Sequence, residues 1–192
     1  MFEWSDEDLM VRDAIRAFID KEIRPHIDEL ETGQLPPYDI TRKLLKTFGV
    51  DAMLADGLNK ELAAEEAGTP RKSSGGGTGG LMSSMMMMVN IELAGVCLGL
   101  VGSLAVSMGL TSSTIRSRGT LAQKKRWLPG LVTMDTVGAW AITEPDSGSD
   151  ALGGMKTTVR RDGAGGYVLN GQKTFITNGP YADTIVVFAK LD

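Results

Sequence analysis

A single cysteine and a single histidine occur in the 192 residues, and each scarcity removes a class of chemistry. Cys97 cannot close an internal disulfide and has no second thiol with which to share a metal, so a reducing compartment is expected. With His26 alone, a multi-histidine zinc site is excluded, as is any Ser-His-Asp triad assembled without it. His26 itself reads as a surface helix residue. Positive charge is also in short supply: 20 Lys and Arg stand against 24 Asp and Glu, a net charge of -4, which argues against nucleic acid as a partner. The opening Met1-Phe-Glu-Trp-Ser-Asp-Glu-Asp8 is acidic and lacks the basic-then-apolar order of a secretory signal, so a cytoplasmic location is the expectation.

What is present suits a soluble globular chain. With 42% hydrophobic and 23% charged residues it can bury a core as one large domain or two small ones. Ser5 followed by Asp8 is a capping box, and Leu9, Ile15, Phe18, Ile19 and Ile23 recur at helical spacing, which predicts a first helix from Ser5 to about Arg24. Pro25 should end or kink it. A short helix is expected over Tyr38 to Thr47, between Pro36-Pro37 and Gly49. The run Thr69-Pro-Arg-Lys-Ser-Ser-Gly-Gly-Gly-Thr-Gly-Gly80 has no side chains for a core and reads as a loop. As a phosphate cradle it has the wrong order, since Arg71-Lys72-Ser73 precedes the glycines.

From Met82 to Leu110 the chain is apolar, with small residues scattered through it. Leu93 to Leu110 carries no charge and just reaches the length of a membrane span, and Gly95-x-x-x-Gly99 fits close helix contact in lipid. Asn90 and Glu92 at its edge and the abundance of small polar residues favour a buried core helix and no membrane span. Met85 to Met88 would fill core space, although thioethers also suit apolar ligand pockets. Thr111 to Arg118 continues as helix, and Gly119 to Pro129 reads as a capped amphipathic helix with Leu121, Trp127 and Leu128 inward.

The period then changes to that of strands. Val137 to Thr143, Met155 to Arg161, Tyr167 to Leu169, Gln172 to Thr177 and Thr184 to Ala189 are the candidates, with Asp162-Gly-Ala-Gly-Gly166 turning the chain from the second into the third. Asn170-Gly171 is a strong hairpin signal, because both central positions of a type I′ turn need positive φ. The expected fold class is α+β: an all-α domain over 1–134, with the Gly-rich loop at 69–80, then over 135–192 an incomplete, antiparallel, β-barrel-like domain.

Two segments carry the chemistry, Trp140-Ala-Ile-Thr-Glu-Pro-Asp-Ser-Gly-Ser-Asp150 and Asn170-Gly-Gln-Lys-Thr-Phe-Ile-Thr-Asn-Gly179. Each runs from an apolar stretch into a turn rich in hydroxyls and glycines, as holding a planar ring and an attached phosphate requires. In Phe175-Ile176-Thr177 an aromatic and a hydroxyl would share one side of a strand. Gly148-Ser149 would let main-chain N–H groups and a hydroxyl approach a phosphate. Taken singly, either segment is also ordinary turn chemistry. Glu144 and Asp150 could be read as a paired-carboxylate acid/base site, but their neighbours point to turn and capping roles.

Thr143-Glu-Pro-Asp-Ser-Gly-Ser-Asp150 resembles the acyl-CoA dehydrogenase signature Thr-Glu-Pro-x-[Ala/Ser]-Gly-Ser-Asp. Asn170 to Gly179 is similar to that family's Asn-Gly-x-Lys-x-[Trp/Phe]-Ile-Thr-Asn-Gly. Glu92-Leu-Ala94, Gly119-Thr120, Gln123-Lys124 and Leu128-Pro129 add weaker matches, and the Gly-rich stretch and the methionine run depart from the pattern. The resemblance implies FAD as cofactor. Trp140, Ile142 and Thr143 would line the flavin, Gly148 and Ser149 would meet its pyrophosphate, Phe175 would pack on the ring, and Ile176 and Thr177 would border it near N5. Ser149 would also approach bound acyl-CoA, and the helix from Leu93 to Leu110 would form one wall of the acyl pocket.

The implied reaction is α,β-dehydrogenation of an acyl-CoA thioester to the trans-2-enoyl-CoA, with electrons passing to an electron-transfer flavoprotein and the full-length protein forming a dimer or tetramer. The family's catalytic glutamate, its remaining strands and its C-terminal helical bundle would lie beyond this stretch, so no catalytic residue is assigned within it. An acyl-CoA oxidase or a flavin-dependent hydroxylase of the same fold is one alternative. A non-catalytic interaction or membrane-associated fragment built on the apolar helix is another.

Overall fold

The structure, a computed structural model, describes residues 4–69 and 80–192. It divides into two compact units, Met1–Ala105 and Val106–Asp192. In the first, helix α1 (Asp6–Phe18) opens on the expected capping box: the Ser5 hydroxyl accepts from the Asp8 N–H at 3.1 Å while the Asp8 carboxylate accepts from the Ser5 N–H at 3.1 Å. Such a cap contributes about 1 kcal/mol. Pro25 does not end the helical path. The chain widens into a π turn over Ile19–Ile23, tightens into a 3₁₀ turn over Arg24–His26 and continues as α2 (Ile27–Glu31). Proline lacks an N–H and its ring crowds the carbonyl four residues back, and a change of pitch accommodates both. His26 sits exposed on that turn, its Nδ1 2.9 Å from Glu29.

Helix α3 (Tyr38–Thr47) has the bounds read from sequence and stops where Gly49 takes φ 64°, the left-handed terminator that glycine adopts freely. Helix α4 (Val50–Glu66) follows directly and was not foreseen. Only Val50, Leu58 and Leu62 are buried in it, and the alanines spread around the rest blur the apolar period. Helix α5 (Gly80–Ala94) and α6 (Leu98–Leu104) replace the single helix expected from Leu93 to Leu110. The break is a turn at Gly95-Val96, where the N–H groups of Val96 and Cys97 both donate to the Leu93 carbonyl, at 3.0 and 2.8 Å. Of the Gly-rich loop expected at 69–80, residues 70–79 lie outside the described residues.

Helix α1 packs on α5, and the core they share contains Ile15, Phe18, Ile19, Ile23, Leu44, Met88, Val89, Leu93, Cys97 and Leu100. The Arg16 guanidinium grips both oxygens of Glu92, at 2.8 and 2.9 Å, tying the two helices on their polar side. Met88 fills core space as expected, whereas Met87 is half exposed. Burial pushes the Cys97 thiol up from its ordinary value, which disfavours the reactive thiolate.

From Leu98 the helical path continues through a π turn (Ala105–Thr111) and α7 (Ser112–Arg118), and the division between units falls within it. Leu98–Arg118 is long and apolar enough to cross a membrane by length and composition, and 33% of its apolar window is buried. Helix α8 (Leu121–Thr133) begins with a second capping box, Thr120 with Gln123, and buries Leu128, Leu131 and Val132.

Then come β1 (Gly138–Ala141), a short helix α9 (Ala151–Gly154), β2 (Thr158–Arg161), β3 (Tyr167–Asn170), β4 (Thr184–Val187) and β5 (Lys190–Leu191). A helical part followed by a small β region is what the sequence led us to expect. The meander connectivity is not, because β1 pairs β4 in parallel and β2 pairs β5 in parallel, with only β2 and β3 antiparallel. The turn expected at Asp162 to Gly166 joins β2 to β3, closed by Asp162 Oδ1 accepting from the N–H groups of Ala164 and Gly166 at 2.9 and 2.8 Å, whereas Asn170-Gly171 makes no hairpin turn. Gly171 serves close approach instead: a Cβ there would lie 2.7 Å from the Thr157 Cα. Residues 172–177, expected as a returning strand, form none.

The core assignment predicts unequal costs for two leucines near one turn. Leu93→Ala, at a fully buried site, should lower stability by about 2–5 kcal/mol. Leu98→Ala, at a site 68% exposed, should stay within about 0.5 kcal/mol of the parent. Urea unfolding followed by circular dichroism measures both, and equal losses would contradict the assignment.

Candidate functional site

The two chemistry-bearing segments meet in the second unit through one buried carboxylate. Glu144, whose side chain is 4% exposed, receives the Lys173 ammonium on Oε1 at 2.8 Å. Its two oxygens also accept the N–H groups of Lys156 and Thr157, at 2.6 and 2.9 Å. Lys173 completes its shell by donating to the Ile142 carbonyl at 3.0 Å. Beside this pair the Thr174 N–H donates to the Thr143 carbonyl at 3.0 Å. A buried ion pair is tolerable only with further hydrogen bonds to its charged groups, and here three donors meet the carboxylate and one carbonyl meets the ammonium. The Lys173 ammonium, together with the N–H groups of Lys156 and Thr157, holds the Glu144 carboxyl far below the ordinary carboxylate range. Glu144 is therefore an ionised structural joint and no proton donor, which removes the paired-carboxylate reading with Asp150. Asp150 lies at the start of α9, with its carbonyl accepting the Ser147 hydroxyl at 2.7 Å.

Each residue expected to line a ligand can be placed around that joint. Trp140 is half-buried in β1, its indole N–H donating to Thr114 Oγ1 at 3.1 Å and its ring edge-on to Phe188 at 4.8 Å. Ile142 and Thr143, both half-buried, follow the end of β1. The turn beyond is pinned by reciprocal backbone bonds between Glu144 and Ser147, of 2.9 and 3.1 Å, and leaves Gly148 and Ser149 exposed. No heavy atom lies within 4 Å of where a Gly148 Cβ would be, so the backbone there is open to a close-approaching group.

Phe175 is 91% exposed with φ 55°, a backbone conformation uncommon for a bulky residue. Ile176 is half-buried and Thr177 exposed. The expectation that Phe175 and Thr177 share one side by strand alternation loses its basis, because the segment is not a strand and its backbone turns left-handed at Phe175. Asn178, buried at φ 66°, donates its side-chain amide to the Gly138 carbonyl at 2.9 Å. Lys173, Asn178 and the anchoring role of Glu144 were missed from sequence. The available signal was chemical: lysine and glutamate are rarely buried unless paired, but nothing in the spacing says that Glu144 and Lys173 meet.

A helical N-terminal part followed by a small mixed β region, with these two signature segments joined at its heart, defines the class. Residues 5–135 match the acyl-CoA dehydrogenase N-terminal domain, and residues 139–192 match the acyl-CoA dehydrogenase middle domain. The short-chain specific acyl-CoA dehydrogenase of Clostridium acetobutylicum is 33% identical over 100% of this chain and 45% of its own. Among solved structures, an acyl-CoA dehydrogenase from Bacillus anthracis complexed with FAD superposes with a TM-score of 0.67 at 31% identity, over 99% of this chain and 30% of its own. A glutaryl-CoA dehydrogenase from Mycobacterium smegmatis superposes with a TM-score of 0.72 at 29% identity, over 98% of this chain and 44% of its own. The chain belongs to the acyl-CoA dehydrogenase family. It spans less than half the length of these relatives.

The joint has a pH signature. A carboxyl depressed by folding contributes fully above its ordinary value of 4.5, and that contribution drains away as pH falls below it. Glu144→Gln should lower the melting temperature of the second unit at pH 7, and the gap to the parent should narrow between pH 5 and pH 3. A gap that stays constant over this range would contradict the assignment.

Proposed function

We propose that this stretch supplies the FAD-contacting N-terminal and middle segments of an enzyme that dehydrogenates an acyl-CoA thioester between its α and β carbons. The observation that carries the reading is the bond between Thr174 and Thr143, reinforced by the Glu144–Lys173 pair, because it brings two separate signature segments to one locus. Their groups fit the cofactor's demands: an exposed aromatic face at Phe175, exposed hydroxyls at Ser149 and Thr177 with a half-buried one at Thr143, and unhindered backbone at Gly148.

In this reading Trp140, Ile142 and Thr143 border the flavin, Gly148 and Ser149 meet its pyrophosphate, and Phe175, Ile176 and Thr177 pack against and alongside the ring. Ser149 also approaches the acyl-CoA. Bound flavin would accept the two electrons released from the substrate. The chain's own residues orient the ring and exclude water from it, with Glu144 fixed as an anion that takes no part in proton transfer. The base that removes the α-proton comes from outside these residues, and an electron-transfer flavoprotein serves as acceptor.

The test compares the 192-residue chain with the same residues carried in a polypeptide of the relatives' full length. The short chain should lose added FAD on gel filtration and show no bleaching of flavin with acyl-CoA. The long one should hold flavin and bleach. A yellow short chain reduced by acyl-CoA would contradict the assignment of the base elsewhere, and a full-length protein that binds no flavin would contradict the function.

A further inference from the structure

The segment from Lys173 to Asn178 is fastened at both ends and projects in the middle. At one end Lys173, 11% exposed, is held by Glu144 and the Ile142 carbonyl just past the end of β1. At the other, Asn178 is buried and donates to the carbonyl of Gly138, the first residue of β1. Between these anchors Phe175 stands almost fully in solvent with a left-handed backbone. Exposing an aromatic ring and adopting positive φ at a bulky residue are both unfavourable by themselves. They persist together only where the surroundings over-determine them. The anchors are the over-determination: both belong to the projecting segment, and both end on β1 or its exit.

We propose that Lys173 and Asn178 are positioning residues, clamping the two ends of their segment to β1 and so holding Phe175 outward as a preformed face for the planar ring. The inference rests on the flavin reading above. Neither residue touches the ligand; each acts through the backbone of residues 174–177. Preorganisation of this kind lowers the ordering cost of binding, so its loss should weaken affinity and change the ring's surroundings without removing any contacting side chain.

Asn178→Gly isolates the clamp, because glycine keeps the left-handed backbone while deleting the amide donated to Gly138. Lys173→Arg retains a cation for Glu144, and Lys173→Met removes it. FAD is titrated into the deflavinated polypeptide of the relatives' full length that carries these 192 residues, and into its variants. Fluorescence quenching gives affinity, visible circular dichroism at saturation gives the asymmetry around each bound ring, and far-ultraviolet circular dichroism reports folding.

Asn178→Gly should weaken FAD binding roughly tenfold or more, by the loss of a preorganised contact, and alter the visible signal per bound flavin with the far-ultraviolet spectrum retained. Lys173→Arg should stay close to the parent. Lys173→Met should behave as Asn178→Gly if it folds, and Asn178→Gly decides the matter if it does not. Phe175→Ala separates the two levels of the argument. If it weakens binding while Asn178→Gly changes neither affinity nor visible signal, the clamp is overturned and the flavin reading stands. If neither variant alters the titration, or the parent shows no binding at millimolar FAD, the flavin reading falls and takes the clamp with it.

Discussion

The Glu144–Lys173 pair is the constraint on which the β region depends. Putting two opposite charges where the side chains are 4% and 11% exposed is unfavourable unless further hydrogen bonds reach the charged groups. The partners found are the N–H groups of Lys156 and Thr157 and the carbonyl of Ile142. Three stretches distant in sequence therefore converge because one carboxylate and one ammonium require them. β1 leads into the first, β2 begins just beyond the second, and the third carries the projecting Phe175. With the joint made, Thr174 can pair with Thr143, and the two signature segments become neighbours without a regular strand between them.

The first unit is held differently, by apolar packing of α1 on α5 with one bidentate Arg16–Glu92 link at its edge. Unlike Glu144, the link has one partner well exposed, Arg16 at 53%, so solvent screens it and its contribution is modest. Glu92 belongs to the Glu-Leu-Ala triplet that supported the family resemblance. Its place in the fold gives that triplet a physical reason: glutamate for the link, Leu93 for the core, and Ala94 as the last residue before the chain turns.

Local signals were the legible ones. Both capping boxes, the bounds of α3 and the change from helical to strand period could be read because each is decided within a few residues. The errors fall where a distant partner decides. Asn170-Gly171 is a hairpin dipeptide by local rule, yet Thr157 passes so close to Gly171 that glycine is needed for space rather than for a turn. The helix expected through Leu93 to Leu110 breaks because Gly95 offers a turn, and the run of small apolar residues conceals it. α4 went unread because its alanines give no face. In the site, the residues facing a ligand could be named from the resemblance, whereas those that hold them could not, since Lys173 meets Glu144 across 29 residues and Asn178 meets Gly138 across 40.

Amide hydrogen exchange at Lys156, Thr157 and Thr174 tests the central claim most directly, because these three N–H groups bond to Glu144 or lie beside its pair. If the ion pair is the joint, the three should exchange at a common rate in the parent and accelerate together in Lys173→Met, while the β2–β3 ladder at Arg160 and Val168 keeps its protection. Three unrelated rates, or protection at Lys156, Thr157 and Thr174 unchanged by the substitution, would contradict the account.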